Sequence, residues 1–193
     1  MRDIEKYYDK TEIDIPRKNV KYFIENIQCN HGKAIELGCG AGDSTVYLIK
    51  NNWNVLAIDR EDVEGRISRR LNDEEIKKFR FQKQNFENIK LEKANLLIAN
   101  YCLPFCKKDK FKEFWNKINN CIEKDGYFVG NFFGLNDSWN GTKLEMVFLS
   151  KENVFNLFEK FEIIKFKEIE KDSATALGKM KHWHIFDVIA RKK

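Results

Sequence analysis

Short apolar runs recur along the chain and predict a series of β-strands. Each run is bounded by polar or turn-forming residues, which is typical of a strand buried in a sheet. The predicted strands span residues 33–37, 54–58, 79–84, 94–99, 127–133, 161–166 and 183–190.

Apolar residues with helical spacing lie between most of these strands. They predict helices at residues 17–28, 44–51 and 108–123, and a further helix that begins after Ser150. The charged segment 60–78 is expected to form helix and loop. Because strands and helices alternate through residue 160, the sheet is expected to be parallel. Only a polar linker at 171–181 separates the last two strands, which are therefore expected to pair as an antiparallel hairpin in an α/β fold.

The first predicted strand ends in a glycine-rich turn. Glu36 lies in the strand, Gly38, Gly40 and Gly42 follow at every second position, and Ser44 begins the next predicted helix. In an open α/β sheet this is the usual place for a nucleotide-like ligand, because glycine lets a ligand approach the main chain closely. The Gly-Lys-Ser/Thr of a phosphate-binding loop is absent, and the glycine spacing differs from the GxGxxG of a dinucleotide site.

Two carboxylates indicate which ligand the turn accepts. Glu36 stands two residues before Gly38, where it would repel a pyrophosphate but suit a ligand with an ammonium and a sulfonium group, such as S-adenosylmethionine. Asp59 ends the second predicted strand and can accept hydrogen bonds from two ribose hydroxyls, a role that serves NAD and S-adenosylmethionine equally. The glycine spacing and the two acids together favour S-adenosylmethionine.

These motifs resemble those of class I S-adenosylmethionine-dependent methyltransferases, and the resemblance covers nearly the whole chain. The segment 36–42 is similar to the family's first motif, and Asp59 is similar to its ribose-binding acid. Residues 100–105 resemble the fourth motif in position and in their Leu-Pro-Phe ending, and residues 124–127 resemble the turn before the fifth strand. Asn85 stands where the family usually has Asp, but its carbonyl can still accept a hydrogen bond from the adenine amino group.

The resemblance implies a Rossmann-like sheet of seven strands in the order 3-2-1-4-5-7-6, with helices on both faces and an antiparallel last strand. It also implies that S-adenosylmethionine is bound and that S-adenosylhomocysteine is the product. The cofactor-binding residues that it implies are Glu36, Gly38, Gly40, Gly42, Asp59, Arg60, Asn85, Phe86 and Asn100.

Within the class, the chain looks most similar to the small tellurite-resistance (TehB-like) enzymes, in size and in an early tyrosine-containing segment. This similarity implies in-line transfer of a methyl group to a small-molecule acceptor, such as a thiol, a chalcogen oxyanion or a carboxylate. Two alternatives stay open: an RNA methyltransferase, and a protein that binds S-adenosylmethionine without catalysis.

The acceptor is expected opposite the glycine turn, at the same edge of the sheet. The expected pocket residues are Tyr7, Tyr8, Arg17 and Trp139. Residues 1–16 are interpreted as a lid. Tyr101 and His182 are the candidate catalytic residues, His182 as a base because histidine titrates near neutral pH; packing is an equally good interpretation of the tyrosines. His182 and His184 could share a strand face, but no third ligand is evident, and no metal is expected.

Charge and composition limit which kinds of partner the protein is expected to bind. The net charge of +5 comes from 35 basic and 30 acidic residues that are interleaved along most segments, which argues against a nucleic-acid partner. The length of 193 residues is typical of a single domain, expected as a monomer or homodimer. No apolar run approaches the ~20 residues that span a bilayer, and no signal peptide is evident. The five scattered cysteines are therefore interpreted as reduced packing residues of a cytoplasmic protein.

Overall fold

A computed structural model describes residues 4–86, 89–141 and 145–193. Within these ranges, the centre of the fold is a sheet of eight strands. The strands are β1 (Lys33–Leu37), β2 (Asn54–Asp59), β3 (Phe79–Lys83), β4 (Ala94–Ala99), β5 (Ile122–Gly134), β6 (Phe148–Leu149), β7 (Phe161–Ala174) and β8 (Met180–Lys192). The helices of the same ranges are α1 (Ile4–Thr11), α2 (Lys18–Asn26), α3 (Asp43–Lys50), α4 (Glu64–Ser68), α5 (Phe111–Cys121) and α6 (Lys151–Leu157).

The strands follow the order β3-β2-β1-β4-β5-β8-β7, and β6 pairs with the end of β5 outside this row. Strands β1 to β5 are parallel, whereas β8 is antiparallel to β5 and β7 is antiparallel to β8. The predicted order is confirmed, with the sixth and seventh predicted strands corresponding to β7 and β8. The additional strand β6 has two residues and is too short to give a periodic signal in the sequence.

The β7–β8 hairpin is longer than the hydrophobic pattern predicts. Its ladder runs from the pair Phe161–Lys192 to the pair Ala174–Met180, so the prediction of a linker at 171–181 is wrong for most of its length. The side chains near this end are mostly polar and exposed, and without a buried face a strand shows no apolar alternation.

Strand β5 is a second element that differs from the prediction, whereas the segment 60–78 forms helix and loop as expected. Strand β5 begins at Ile122, so the predicted turn at 124–126 lies inside the strand, where the register against β4 shifts and Asp125 adopts a φ of 60°. The segment 60–78 contains α4 and a 3₁₀ turn at Ile76–Lys78.

Helices cover both faces of the sheet. On one face α5 and α6 pack against it, and the ring centroid of Trp115 lies 5.4 Å from that of Phe128 in β5. On the other face α1 to α4 pack around fully buried residues such as Phe23. None of the helices in the described ranges combines the length and the apolar composition needed to cross a membrane. The parallel strands β1, β2, β4 and β5 end at the same edge, the usual ligand-binding edge of such a sheet.

Candidate active site

A cavity of about 860 Å³ lies at this edge of the sheet. The glycine turn, α1, the loops after β2, β3 and β4 and the tip of the β7–β8 hairpin enclose it. The predicted site residues that line it are Tyr7, Tyr8, Arg17, Glu36, Gly38, Gly40, Gly42, Asp59, Arg60, Asn85, Phe86, Asn100, Tyr101 and Trp139. The residues expected to bind the cofactor and those expected to contact the acceptor thus line the same cavity.

The three glycines of the turn all have a left-handed backbone, with φ of 62° at Gly38, 56° at Gly40 and 84° at Gly42. A side chain at Gly38 would overlap Cys102, and one at Gly42 would overlap Ile67. At Gly40, by contrast, the nearest atom to an added Cβ is 4.0 Å away, on the Tyr8 ring. Gly38 and Gly42 therefore serve the protein's own packing, whereas Gly40 presents bare main chain to the cavity.

Glu36 lies in β1 at the base of the cavity and is 4% exposed. The Thr45 hydroxyl of α3 donates a hydrogen bond to its carboxyl group. Burial raises the pKa of Glu36 to about 7, and the bond from Thr45 and the nearby Arg17 offset only part of that rise. The folded protein thus holds an acid that a cationic group would readily ionise.

Asp59 ends β2 and is fixed in place by its neighbours. The main-chain NH of Gly40 donates to Oδ2 at 2.9 Å, the NH of Glu61 donates to Oδ1 at 3.1 Å, and the Tyr8 hydroxyl donates to Oδ1 at 3.3 Å. Burial and the Asp59 carboxylate raise the pKa of Tyr8, so its hydroxyl remains a donor. A carboxylate has about four acceptor positions, so Asp59 retains capacity for a ligand hydroxyl.

Helix α1 is held over the cavity by a cluster of ion pairs with α4 and the residues that follow it. Arg66 pairs with Glu5 at 2.5 Å, with Asp9 at 2.8 Å and with Glu12 at 2.9 Å. Arg70 pairs with Asp43, directly after the glycine turn, at 2.7 Å. Arg70 also pairs with Asp14 at 3.2 Å, so it links the segment interpreted as a lid to the residue that follows the glycine turn.

Asn100, directly after β4, belongs to a chain of hydrogen-bonded amides in which Asn100 and Asn131 are buried. Its Oδ1 accepts hydrogen bonds from Nδ2 of Asn19 at 2.7 Å and from Nδ2 of Asn131 at 3.2 Å. Its own Nδ2 is buried without a hydrogen-bond partner among the described residues. Asn131 in turn accepts a bond at 2.8 Å from the main-chain NH of Tyr101, which has a φ of 54°.

The residues expected at the adenine lie near the end of β3. Asn85 is exposed, and the ring of Phe86 stacks on that of Phe114 with 4.8 Å between centroids. Arg60 is exposed beside Asp59, and its Nε lies 3.5 Å from a carboxylate oxygen of Glu61.

His182 does not reach the cavity. Side chains alternate across β8, so Trp183 and Ile185 line the cavity while His182 projects from the opposite face. There its ring nitrogens contact Asp172 at 2.9 Å and Glu170 at 3.1 Å, and these carboxylates raise its pKa. The structure gives no support to His182 as a base on the acceptor. Within the described ranges, no three His, Cys, Asp or Glu side chains are grouped as metal ligands.

Several residues of the site were missed. Thr45, Asn19 and Asn131 contribute hydrogen bonds to Glu36 and Asn100. A signal existed for Asn131, since it interrupts an otherwise apolar buried strand. Nothing in the sequence pairs Asn19 with Asn100, because that contact depends on how α2 crosses the sheet.

The chain matches the family model of the tellurite resistance protein TehB over residues 1–175. No curated protein matches it. TehB from Haemophilus influenzae has a similar structure, with a TM-score of 0.70 and 16% identity, over 93% of this chain but only 63% of that one.

Two solved methyltransferases are also similar. One is 1,6-didemethyltoxoflavin-N1-methyltransferase from Burkholderia thailandensis, solved with 1,6-didemethyltoxoflavin and S-adenosylhomocysteine bound (TM-score 0.70, 16% identity, 98% of this chain and 85% of that one). The other is the N-methyltransferase NodS from Bradyrhizobium japonicum in complex with S-adenosylhomocysteine (TM-score 0.63, 12% identity, 90% and 83%). At these identities the likeness shows a shared fold.

Proposed function

The chain belongs to the family of the tellurite resistance protein TehB, and we propose that it is an enzyme that transfers a methyl group from S-adenosylmethionine to a small-molecule acceptor. The main support is Gly40, which opens bare left-handed main chain onto the cavity while Gly38 and Gly42 are occupied with internal packing. Close approach of a ligand to the main chain requires such a residue.

The charges around the turn fit this cofactor. Glu36 would face the ammonium group, whose charge would favour the ionised carboxylate. Asp59, already oriented by the main-chain NH groups of Gly40 and Glu61, would accept the ribose hydroxyls. Asn85 and Phe86 would hold the adenine, and the unpartnered Nδ2 of Asn100 would find an acceptor near the methyl-bearing end.

S-adenosylmethionine, when bound, supplies a methyl group that is already activated on a sulfonium. The protein's residues therefore mainly hold two reactants in line, an effect that can contribute about 7–11 kcal/mol. In this proposal residues 1–16 act as the lid: α1 covers the cavity, and the Tyr8 hydroxyl at Asp59 ties it to the donor end. We propose cytoplasmic action of a single methyltransferase domain.

Calorimetric titration tests the donor half of the proposal. We expect S-adenosylmethionine and S-adenosylhomocysteine to bind and NAD not to bind. Asp59→Ala should weaken S-adenosylmethionine binding about 10- to 100-fold, because it removes hydrogen bonds to a charged acceptor. Asp73→Ala, which removes an exposed carboxylate outside the cavity, is the matched control.

An affinity that Asp59→Ala leaves unchanged would contradict the assigned ribose site. Formation of S-adenosylhomocysteine in the presence of acceptors separates an enzyme from a protein that only binds the cofactor.

A further inference from the structure

Aromatic side chains form one wall of the cavity, on the side away from Asp59. Its members are Phe105, Tyr101, Phe133, Trp139 and Trp183, defined here as the aromatic wall. The ring centroids of Trp139 and Trp183 are 5.8 Å apart, and those of Tyr101 and Trp183 are 6.1 Å apart. Only Phe133 is fully buried, so the wall presents apolar surface to the cavity. Covering that surface with a flat apolar ligand is favourable.

A buried ion pair fixes the wall from behind. The Lys181 ammonium group is paired with Asp137, and their side chains are 1% and 0% exposed. Its Nζ lies 4.2 Å from the ring centroid of Trp139 and 4.5 Å from that of Trp183. Asp137 also accepts a hydrogen bond from the main-chain NH of Trp139 at 3.0 Å. Both indole rings are thus held in place before any ligand arrives, which lowers the entropic cost of binding.

The charge of the lining differs between the two ends of the cavity. Among the described lining residues the acids are Glu36, Asp43 and Asp59, all in or near the glycine turn. The basic lining residues are Lys10 in α1 and Arg60 beside Asp59, and Arg17, Lys171 and Lys179 toward the aromatic wall, where the cavity has no acidic lining residue among those described. The guanidinium carbon of Arg17 lies 4.9 Å from the ring centroid of Tyr101. The end that faces the acceptor therefore favours a negatively charged group.

No lining residue near the wall is suited to remove a proton. His182 lies on the other face of β8, and the described lining residues include no histidine. Burial and Asp187 raise the pKa of Tyr101, so its hydroxyl stays protonated. Burial likewise raises the pKa of the Cys102 thiol. An acceptor that is already deprotonated in solution would need no base.

We infer that the acceptor is a planar aromatic anion, such as an aromatic thiolate, that packs flat on the aromatic wall. This inference rests on the proposed function and names its substrate class. In the reaction the lone pair of the anion forms a bond to the methyl carbon and the bond from that carbon to sulfur breaks. The electron pair of that bond remains on sulfur as a neutral thioether, and no proton is released.

A panel of four acceptors tests the inference, with S-adenosylhomocysteine formation as the readout. Thiophenol is planar and readily ionised. Cyclohexanethiol has nearly the same size but is neither planar nor readily ionised, aniline is planar but neutral, and selenite is an anion without a ring. We expect kcat/KM to be at least about tenfold higher for thiophenol than for each of the others, because only thiophenol combines a ring that can stack on the wall with a negative charge.

Two variants of Trp183 test whether the preference for thiophenol depends on the aromatic wall. Trp183→Leu should raise KM for thiophenol about tenfold and leave the Kd of S-adenosylmethionine unchanged, and Trp183→Phe should restore most of the loss. The matched control is Phe155→Leu, which removes an exposed aromatic ring of α6 that stacks on Phe166 outside the cavity.

The outcomes separate the two claims. Equal or better turnover of cyclohexanethiol, aniline or selenite overturns the aromatic-anion assignment, as does a lack of thiophenol turnover by protein that binds S-adenosylmethionine. Either result leaves the donor half of the proposed function intact. Failure to bind S-adenosylmethionine defeats the proposed function itself.

Discussion

At the scale of single residues, Glu36 combines deep burial with a position in the cavity, where its charge would matter for a bound cofactor. It is buried at the end of a parallel strand, and Thr45 is its side-chain hydrogen-bond donor in the described part of the chain. Because burial disfavours the charged form, its pKa rises to about 7. A cationic group bound beside Glu36 would lower this pKa and favour the ionised carboxylate.

Glu36 should give the free protein a pH-dependent stability. In the unfolded chain the group ionises near its ordinary pKa of 4.5, whereas in the folded protein it stays protonated up to about pH 7. Between these values the folded state binds more protons, so the free energy of unfolding should fall as pH rises from about 4.5 to about 7 and be unaffected by this group outside that window. Urea unfolding at several pH values measures the effect.

Glu36→Gln isolates this contribution. The difference in unfolding free energy between the variant and the parent should shift in favour of the variant across the window. The exposed Glu159→Gln is the control and should keep the parent's pH dependence. A parallel pH profile for Glu36→Gln and the parent would show that Glu36 does not change its charge there.

At the scale of elements, α1 depends on charge more than on apolar packing. Tyr8 is its buried residue, and Arg66 pairs with Glu5 and Asp9 of the helix and with Glu12 directly after it. A single exposed ion pair contributes about 0.2–1 kcal/mol to stability. Several pairs that share the partly buried Arg66 together keep α1 in position over the cavity. Salt screens such pairs, so the position of the lid should depend on ionic strength.

Arg66→Gln should loosen α1 without unfolding the sheet. We expect amide hydrogen exchange in residues 4–14 to become about tenfold faster, which corresponds to about 1.4 kcal/mol. Binding of S-adenosylmethionine should weaken because Tyr8 leaves Asp59. Added salt should have the same two effects on the parent.

The matched control is Arg191→Gln, which breaks the exposed pair with Glu162 at the far side of the sheet. It should leave exchange in residues 4–14 and cofactor affinity unchanged. If Arg66→Gln behaved like this control, the ion pairs would have no part in closing the cavity.

At the scale of the whole molecule, ligand binding should stabilise the folded state by mass action. At a concentration 100 times its Kd, S-adenosylmethionine should add about 2.7 kcal/mol. For a chain of this size that corresponds to a rise in Tm of about 5–10 °C. Differential scanning fluorimetry measures it, with NAD at the same concentration expected to give no rise. A comparable rise with NAD would contradict the assignment of the cofactor.

The fold was largely predictable because its information is local and repetitive. Buried parallel strands give continuous apolar runs, and the alternation with helices limits the topology, so the order of the long strands followed. The glycine turn was predictable because Gly38, Gly40 and Gly42 are each required by a left-handed backbone.

What escaped prediction depends on tertiary geometry. The tip of the β7–β8 hairpin is mostly polar and exposed, so its strand character comes from cross-strand pairing that no periodicity records. The face that His182 takes could not be read from the sequence, because an offset of one residue in a strand moves a side chain to the opposite face of the sheet. The contact of Asn19 with Asn100 joins residues 81 positions apart and depends on the placement of α2.

The division of the cavity along the chain has an evolutionary consequence. The glycine turn and Asp59 precede β3 in the chain, whereas three of the five residues of the aromatic wall follow β4 and its loop: Phe133 in β5, Trp139 after β5 and Trp183 in β8. In the proposed function, changes confined to the C-terminal third would therefore alter the acceptor side of the cavity while they leave the proposed cofactor side as it is. The buried Asp137–Lys181 pair joins the segment after β5 to β8, so we expect substitutions in these two segments to occur together among related proteins.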